Sequence, residues 1–309
     1  MTGEAEPGQD TTPRPSEARR SPILRGKSRE KRKPRAIIQI SIMQIIEQRI
    51  IGKHSQETCE DGIVSSNDFI AVIDGSTSKS PVQIHPDMRN GRYAMLLVAD
   101  FIKRMDAETS CKDFCERITE SIRNIYREKK LDLKRLEKHP TERLTASAVV
   151  YSRRRKEIWM TGDCQCLIDG KLCTNGKPSE EILANKRSEY INKALNNGHK
   201  PIEFQIIDKG REYILPALKS SCNEQNIAYT VIDGFEIPMD KVKILRAGRE
   251  IILATDGYPL LASTLEESEK RLREQLRNDP LCIDSFKATK GLMKGNVSFD
   301  DRAYIRFLT

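Results

Sequence analysis

The chain has 309 residues, of which 38% are hydrophobic and 32% charged, and its formal net charge is +8. This length permits one large domain or two ordinary ones. Residues 1–35 hold ten lysines and arginines against five acids, which is +5 of the total, so the rest of the chain carries only +3. The basicity is therefore mostly a property of one end, and it does not indicate a nucleic-acid-binding domain.

Composition also argues against a membrane-spanning or disulfide-rich protein. The sequence has no apolar run near 18 residues, which a membrane-spanning helix needs. Its eight cysteines form no Cys-x-x-Cys pair and have no histidine at zinc-binding spacing. Disulfide frameworks are typical of short secreted chains, so we expect reduced thiols in a cytoplasmic protein.

The N-terminal segment differs in composition from the rest of the chain. Residues 1–35 are rich in proline, arginine, serine and glutamate and contain no aromatic residue. We therefore predict that the tail over 1–42 is disordered and that a folded domain extends over 43–309. The basic run at 25–35 offers at most a weak contact to nucleic acid phosphates, because no aromatic platform accompanies it.

Helices are predicted from apolar spacing and from capping residues. Apolar residues at intervals of three and four predict an amphipathic helix over 94–105. Ser110 begins a second helix, with Asp113 at the capping-box position. A third is expected over 178–196, and a fourth begins at Ser263, with Glu266 as its capping partner.

Short runs of apolar and β-branched residues predict the strands. They are expected at 43–51, 70–73, 145–151, 157–161, 165–168, 171–173, 228–231, 250–254 and 303–308. Helices occur in blocks between runs of strands, which favours an α+β fold with antiparallel sheets over alternating βαβ units.

Acidic residues recur where predicted strands end. The strand at 70–73 runs directly into Asp74-Gly75, and the pattern recurs at 251–257 and, more loosely, at 157–163. Such an ending delivers a carboxylate to the edge of a sheet, and the glycine permits close approach of another group. The acids that share this position are Glu60, Asp61, Asp74, Asp163, Asp256, Asp300 and Asp301.

Carboxylates brought together in this way favour a hard cation. Oxygen ligands suit Mg²⁺ or Mn²⁺ and not zinc, and clustered carboxylates repel one another unless a cation neutralises them. Two such ions about 3.5–4 Å apart can activate a bridging water and stabilise a phosphoryl transition state. On spacing alone, a set of unrelated turn and cap acids remains the alternative interpretation.

The order of the motifs resembles that of the metal-dependent type 2C (PPM-type) serine/threonine protein phosphatases, in a divergent, bacterial-like form. The motifs are CEDG at 59–62, FIAVIDG at 69–75, LTASAVV at 144–150, WMTGD at 159–163, IILATDG at 251–257 and SFDDR at 298–302. The resemblance covers about residues 43–309. It implies a four-layer α-β-β-α sandwich of two antiparallel sheets flanked by helices. It also implies hydrolysis of phosphoserine and phosphothreonine by a metal-bridging water at a two-metal carboxylate site.

Carried over position by position, the resemblance implies a set of metal ligands. Asp74 would bridge two Mn²⁺ or Mg²⁺ ions, and the carbonyl of Gly75 would contact one of them. Glu60 would hold one side of the pair, and Asp256 and Asp300 the other.

Three further acids take supporting roles in the resemblance. Asp163 matches an aspartate that helps to hold a third, weaker ion. Asp61 would act in catalysis by hydrogen-bonding metal-bound water, and Asp301 stands behind the ligands.

The position that grips the substrate phosphate departs from the family pattern. Relatives usually carry an arginine four residues before the glutamate, and here that residue is Gln56. Lys53 and His54 are nearby candidates for a phosphate contact. If this segment is a regular strand, the odd offset from Gln56 points Lys53 to the opposite face.

Three other functions stay open on the sequence. One is a phosphatase for small phosphoesters, which the altered phosphate position permits. Another is a catalytically weak or silent module that docks a phosphorylated protein. The third is a nucleic-acid-associated protein that uses the basic run at 25–35, against which the missing aromatic platform argues. Intact candidate ligands argue against the silent module, because a docking domain does not need them.

Overall fold

The computed structural model describes residues 43–309, so the predicted tail over 1–42 and its basic run lie outside the described residues. The strands of the described part are β1 Gln44–Ile51, β2 Asp61–Ser65, β3 Phe69–Gly75, β4 Ala146–Ser152, β5 Glu157–Thr161, β6 Gln165–Ile168, β7 Lys171–Cys173, β8 Lys243–Arg246, β9 Glu250–Ala254 and β10 Arg302–Leu308. Its α-helices are α1 Asn90–Lys103, α2 Cys111–Glu128, α3 Leu133–Lys138, α4 Glu180–Asn196, α5 Pro201–Ile206, α6 Lys209–Ser221 and α7 Leu265–Asn278. Among these residues, no helix is both long enough and apolar enough to cross a membrane.

The strands form two five-stranded sheets. One sheet has the order β1-β10-β9-β6-β7 and the other the order β2-β3-β4-β5-β8. Neighbouring strands are antiparallel in both sheets. The predicted α+β class with antiparallel sheets is confirmed.

Strand β3 shows how a sheet becomes buried on both faces. Ile70 and Val72 belong to the core between the two sheets, where they meet Leu253 and Ile305 of the other sheet. Ile73 points the opposite way, into the core beneath α1 and α2. Successive side chains of a strand alternate between its faces, so an uninterrupted apolar run is what a strand with two buried faces requires.

The second sheet is covered on its outer face as well. Ile252 and Tyr304 form a separate core there with Tyr258 and Leu261, and Leu265 at the start of α7 packs against it. Helices thus flank the paired sheets on both sides, and the predicted α-β-β-α sandwich is confirmed.

Helices α4 and α6 are joined through one buried ion pair. The guanidinium of Arg187 is fully buried and donates to both carboxylate oxygens of Asp208, at distances of 2.8–3.2 Å. Its Nη1 also donates to the carbonyl oxygens of Leu281 (2.8 Å) and Ala288 (3.1 Å). Arg187 therefore ties the helices to the long segment that leads to β10.

The strand predicted at 228–231 is wrong. In its place the structure has only isolated bridges, between Ala146 and Ile232 and between Gln225 and Tyr229. Side chains bind the backbone here instead of a neighbouring strand, since the N–H of Val231 donates to the Asn226 side chain at 2.9 Å.

The cap of the last helix is also displaced from its predicted position. Thr264, and not Ser263, accepts a hydrogen bond from the N–H of Glu267 at 3.2 Å. Strands β2 and β8 and helices α3, α5 and α6 were not predicted from the sequence. They are short or weakly periodic, so packing against neighbours defines them more than the local pattern does.

Candidate metal centre

Acids from both sheets meet at one end of the sandwich. Asp74 ends β3, Asp163 follows β5, and Asp256 follows β9 of the other sheet. Carboxylate oxygens of these three residues all lie within 4.8 Å of one another. Asp300, just before β10, lines the same cleft, whose volume is about 110 Å³.

Two more acids lie directly beside Asp74. Asp61 on β2 is paired with Asp74 across the sheet, and the carbonyl of Glu60 accepts a hydrogen bond from the N–H of Gly75 at 2.9 Å. Both acids are buried, and Glu60 Oε1 and Asp61 Oδ2 have no hydrogen-bond partner among the described residues. A buried carboxylate oxygen without a hydrogen-bond partner lowers the stability of the folded protein. Such oxygens are expected where a cation binds.

The backbone around Gly75 is too tightly packed for any side chain. A Cβ at this position would lie 2.0 Å from the carbonyl oxygen of Gly91 in the first turn of α1. A Cβ on Gly91 would in turn lie 2.5 Å from Glu60 Oε1. The two glycines let α1 approach the end of β3, and this approach leaves the Gly75 carbonyl beside the acids.

Lysines already neutralise part of the acidic cluster. Lys177 Nζ binds Asp163 Oδ2, and Lys290 Nζ binds Asp300 Oδ2. Lys53 Nζ lies 3.2 Å from Asp300 Oδ1 and 3.1 Å from Asp301 Oδ2. The cluster therefore mixes ion-paired carboxylates with unpaired ones.

The acids of the cluster have pKa shifts in opposite directions. Burial, followed by the charges of Asp163 and Asp300, raises the pKa of Asp74 to about 7. Burial and the charge of Asp74 hold the pKa of Asp61 and Asp256 well above the usual range. Burial acts in the same direction on Asp300, but Lys290 and Lys53 outweigh it and lower the pKa of that carboxyl to about 2.

Asp163 behaves like Asp300. Burial disfavours its charge, but Lys177 and a 2.5 Å hydrogen bond from Ser147 Oγ outweigh burial, so the pKa of Asp163 is lowered. Carboxylates that differ this much within one cleft are typical of functional sites.

The donor set fits hard divalent cations. All candidate side-chain ligands are carboxylates, and the one main-chain candidate is the carbonyl of Gly75, which lines the same cleft, so only oxygen is offered. The partnerless oxygens of Glu60 and Asp61 and the convergence of Asp74, Asp163 and Asp256 favour the same conclusion. The ligand roles themselves stay predictions.

Lys53 lies in the site, contrary to the geometry expected for it. The segment between β1 and β2 is irregular and not a strand, so the alternation expected between Lys53 and Gln56 does not apply. Lys53 turns its amine toward Asp300 and Asp301, whereas Gln56 is exposed. His54 lies at the surface, where its Nδ1 is 3.2 Å from Asn296 Oδ1, and it does not line the cleft.

The cleft contains cations that the sequence did not indicate. Lys79, Lys177, Arg211 and Lys290 all line it. They lie in loops, or in the first turn of α6 in the case of Arg211, and no motif or periodicity marks them. Their charge alone was visible in the sequence, and charged residues are common throughout this chain.

Comparison with known proteins yields likeness in structure only. No family model matches the chain, and no curated protein matches it. Among solved structures it is similar to PppA, a key regulatory component of the T6SS in Pseudomonas aeruginosa, with 12% identity, a TM-score of 0.43 and coverage of 87% of this chain and 98% of that chain.

Two other similar structures are phosphatases. The catalytic domain of the serine/threonine protein phosphatase PstP, in complex with two manganese ions, is 13% identical, with a TM-score of 0.41 and coverage of 87% and 99%. The serine/threonine phosphatase Stp1 from Staphylococcus aureus is 13% identical, with a TM-score of 0.40 and coverage of 85% and 94%. At these values the likenesses assign no activity to this chain. In the order of its motifs and in the paired antiparallel sheets that bring its acids together, the chain resembles the metal-dependent type 2C phosphatases.

Proposed function

We propose that this protein is a divalent-metal-dependent phosphatase that hydrolyses phosphoserine and phosphothreonine in proteins. The observation that carries the proposal is the convergence of Asp74, Asp163 and Asp256 within 4.8 Å, in a cleft that Asp300 also lines. Four carboxylates from separate strand ends repel one another at short range. The lysines pair with Asp163 and Asp300 but leave Asp74 and Asp256 without a cationic partner among the described residues.

The proposed ligands are those that the cleft brings together. Asp74, Glu60, Asp256 and Asp300 would hold two Mn²⁺ or Mg²⁺ ions with the carbonyl of Gly75, and Asp163 would support a third. When bound, such ions stabilise charge on phosphoryl oxygens and lower the pKa of water.

Asp61 is proposed to position the water that attacks phosphorus. It is buried opposite Asp74, and its Oδ2 has no hydrogen-bond partner among the described residues. This oxygen accepts a hydrogen bond from the water and orients it toward the substrate. Attack by the water forms a new phosphorus–oxygen bond and breaks the bond between phosphorus and the seryl or threonyl oxygen. One water is consumed, and its proton goes to the departing hydroxyl.

Charge balance in the cleft favours an anionic substrate most strongly when metal is present. Eight carboxylates line the cleft or lie directly behind it: Glu60, Asp61, Asp74, Asp163, Glu180, Asp256, Asp300 and Asp301. Five cationic side chains face them: Lys53, Lys79, Lys177, Arg211 and Lys290. With every group ionised, the excess would be three negative charges, and two divalent ions would turn it into an excess of one positive charge. Without metal, the raised pKa values of Asp61, Asp74 and Asp256 reduce the negative charge.

The ion pairs between lysines and candidate metal ligands favour one second function. This is a module that binds a phosphorylated partner without turnover. Asp163 and Asp300 already have cationic partners in Lys177 and Lys290. A divalent ion must displace these amines to use all the carboxylate oxygens. Metal affinity is then lower than it would be with unpaired ligands, and a weakly metallated protein would bind phosphate without hydrolysing it.

Hydrolysis of p-nitrophenyl phosphate and of a phosphothreonine peptide, each with Mn²⁺, Mg²⁺ or EDTA, separates the two candidates. We expect turnover of both substrates with a divalent ion and none in EDTA. Asp256→Asn should lose nearly all activity, whereas Asp240→Asn, an exposed acid outside the cleft, should keep it. Peptide binding without turnover under all metal conditions would favour the docking module. Turnover that survives EDTA would contradict the proposed metal dependence.

A further inference from the structure

The cationic side chains of the cleft divide into two groups. Lys53, Lys177 and Lys290 are each ion-paired with carboxylates of the acidic cluster. Lys79 and Arg211 line the same cleft, and neither has a carboxylate within ion-pair distance among residues 43–309. A largely buried cation without an anionic partner lowers the stability of a folded protein. These two charges therefore indicate a site for an anionic ligand.

Arg211 is held in a fixed orientation with part of its guanidinium unused. Its backbone N–H donates to the helix-capping carboxylate of Asp208 at 2.8 Å. Its Nη1 donates to the carbonyl oxygen of Thr289 at 2.8 Å, with the Thr289 hydroxyl at 3.4 Å. Nε and Nη2 have no partner among the described residues. These two donors form the planar edge that binds phosphate oxygens in a bidentate manner.

The position of Arg211 in its helix also argues for a role beyond folding. It lies in the first turn of α6, where the helix dipole disfavours a positive charge. Burial lowers the pKa of the guanidinium, although the charge of Asp300 counters this effect in part. The residue is thus kept in an unfavourable location at the wall of an acidic cleft.

Lys79 approaches the cleft from a different wall. It lies four residues after Gly75, in the loop that leads from β3 to α1. Burial lowers the pKa of its amine, as expected for an ammonium without a carboxylate partner. The charges of Lys177 and Arg211 add to this lowering by repulsion. Lys79 and Arg211 both line one cleft of about 110 Å³, so a single anion bound there would meet both cations.

We infer that Arg211 and Lys79 together bind the phosphoryl group of the substrate and replace the arginine that relatives carry at the position of Gln56. The inference rests on the proposed phosphatase function. The bidentate edge of Arg211 orients two phosphate oxygens, and Lys79 adds a point charge from the loop after β3. Lys53, the candidate from the sequence, is less available for this role because its amine is ion-paired with Asp300 and Asp301.

Binding of inorganic phosphate and substrate kinetics test the inference together. The full chain with Mg²⁺ is compared with Arg211→Met, Arg211→Lys and Lys79→Met, by titration calorimetry with inorganic phosphate and by the kinetics of p-nitrophenyl phosphate hydrolysis. Hydrogen bonds to charged groups predict that Arg211→Met and Lys79→Met each weaken phosphate binding roughly 10- to 100-fold. KM should rise by a similar factor with a much smaller change in kcat, and Arg211→Lys should lie between Arg211→Met and the unaltered protein.

Lys219→Met is the matched control, because Lys219 is exposed on the same helix and does not line the cleft. It should leave phosphate binding and KM unchanged. If Arg211→Met fails to fold, the result for Lys79→Met tests the inference, since Lys79 makes no side-chain hydrogen bond or ion pair with the described residues that the substitution would break.

Failure of the inference and failure of the proposed function give different results. If the unaltered chain turns over substrate, and the folded Arg211 and Lys79 variants keep its phosphate affinity and KM, the inference is overturned. The proposed phosphatase function is unaffected by that result. If the unaltered chain binds phosphate but hydrolyses neither substrate, and both variants lose the binding, the anion site is supported and the proposed phosphatase activity is overturned. A chain that binds no phosphate at millimolar concentration overturns the inference.

Discussion

Replacing Asp74 by asparagine should stabilise the metal-free protein at alkaline pH. Burial and the neighbouring acids raise the pKa of Asp74 to about 7, whereas an unfolded aspartate has a pKa of about 4. The folded state therefore holds this proton more tightly than the unfolded state. Asp74 does not change the free energy of unfolding below about pH 4, where both states hold the proton. The free energy of unfolding falls as pH rises from there, and above about pH 7 the whole contribution of the bound proton is lost.

The size of the effect follows from the pKa difference. One pKa unit corresponds to about 1.4 kcal/mol, so a shift to about 7 amounts to roughly 4 kcal/mol in the free energy of unfolding at pH 8. Asp74 is partly exposed to the cleft, where water screens its charge, so we expect a gain of about 2 kcal/mol for Asp74→Asn.

Urea unfolding in EDTA at pH 5 and pH 8 measures this gain. The stability difference between Asp74→Asn and the unaltered chain should be large at pH 8 and small at pH 5. Addition of Mn²⁺ should reverse the order at pH 8, because an ion at a hundredfold excess over its dissociation constant stabilises its protein by about 2.7 kcal/mol, and the variant lacks a shared ligand. The reasoning is refuted if metal-free Asp74→Asn is less stable than the unaltered chain at pH 8, or if the difference does not depend on pH.

Three further predictions concern the architecture around the site. Arg187→Leu should lower the free energy of unfolding by about 3–5 kcal/mol, because it leaves the Asp208 carboxylate buried without its partner; a loss below about 1 kcal/mol in urea unfolding would contradict this. Gly75→Ala should abolish the native circular dichroism spectrum or lower the melting temperature sharply, since its Cβ would lie 2.0 Å from the Gly91 carbonyl oxygen; an unchanged melting temperature would show that the approach of α1 can relax. A chain that begins at Met43 should have the melting temperature and KM of the full chain, whereas a large drop in either would show that residues 1–42 support the domain.

Much of the fold could be predicted because its signals are local. The run at 70–73 is apolar at every position, as a strand buried on both faces requires. Ser110 and Asp113 form the predicted capping box at the start of α2. Asp169 and Gly170 have positive φ values of 48° and 81° and connect β6 to β7 as a two-residue hairpin. In each case the signal that allowed the prediction lies within a few residues along the chain.

The candidate ligands were visible for a related reason. Each acid stands where a strand ends, so the sequence itself places a carboxylate at the edge of a sheet. Which edges meet is a property of the tertiary structure, because Asp74 and Asp256 are 182 positions apart in the chain and belong to different sheets. The motif order supplied that pairing in advance only through the resemblance to a known family.

Only the tertiary structure determines which cationic side chains line the cleft. Lys53 points at Asp300 because the segment after β1 is irregular, which overrides the alternation of a strand. Arg211 reaches the cleft because Asp208 caps α6 locally and the carbonyl of Thr289, 78 positions along the chain, accepts a hydrogen bond from its guanidinium. A lysine or arginine in a loop has the same local signature whether it faces solvent or a carboxylate. Only the packing of the surrounding elements determines which of the two it meets, and here that packing determines the charge of the site.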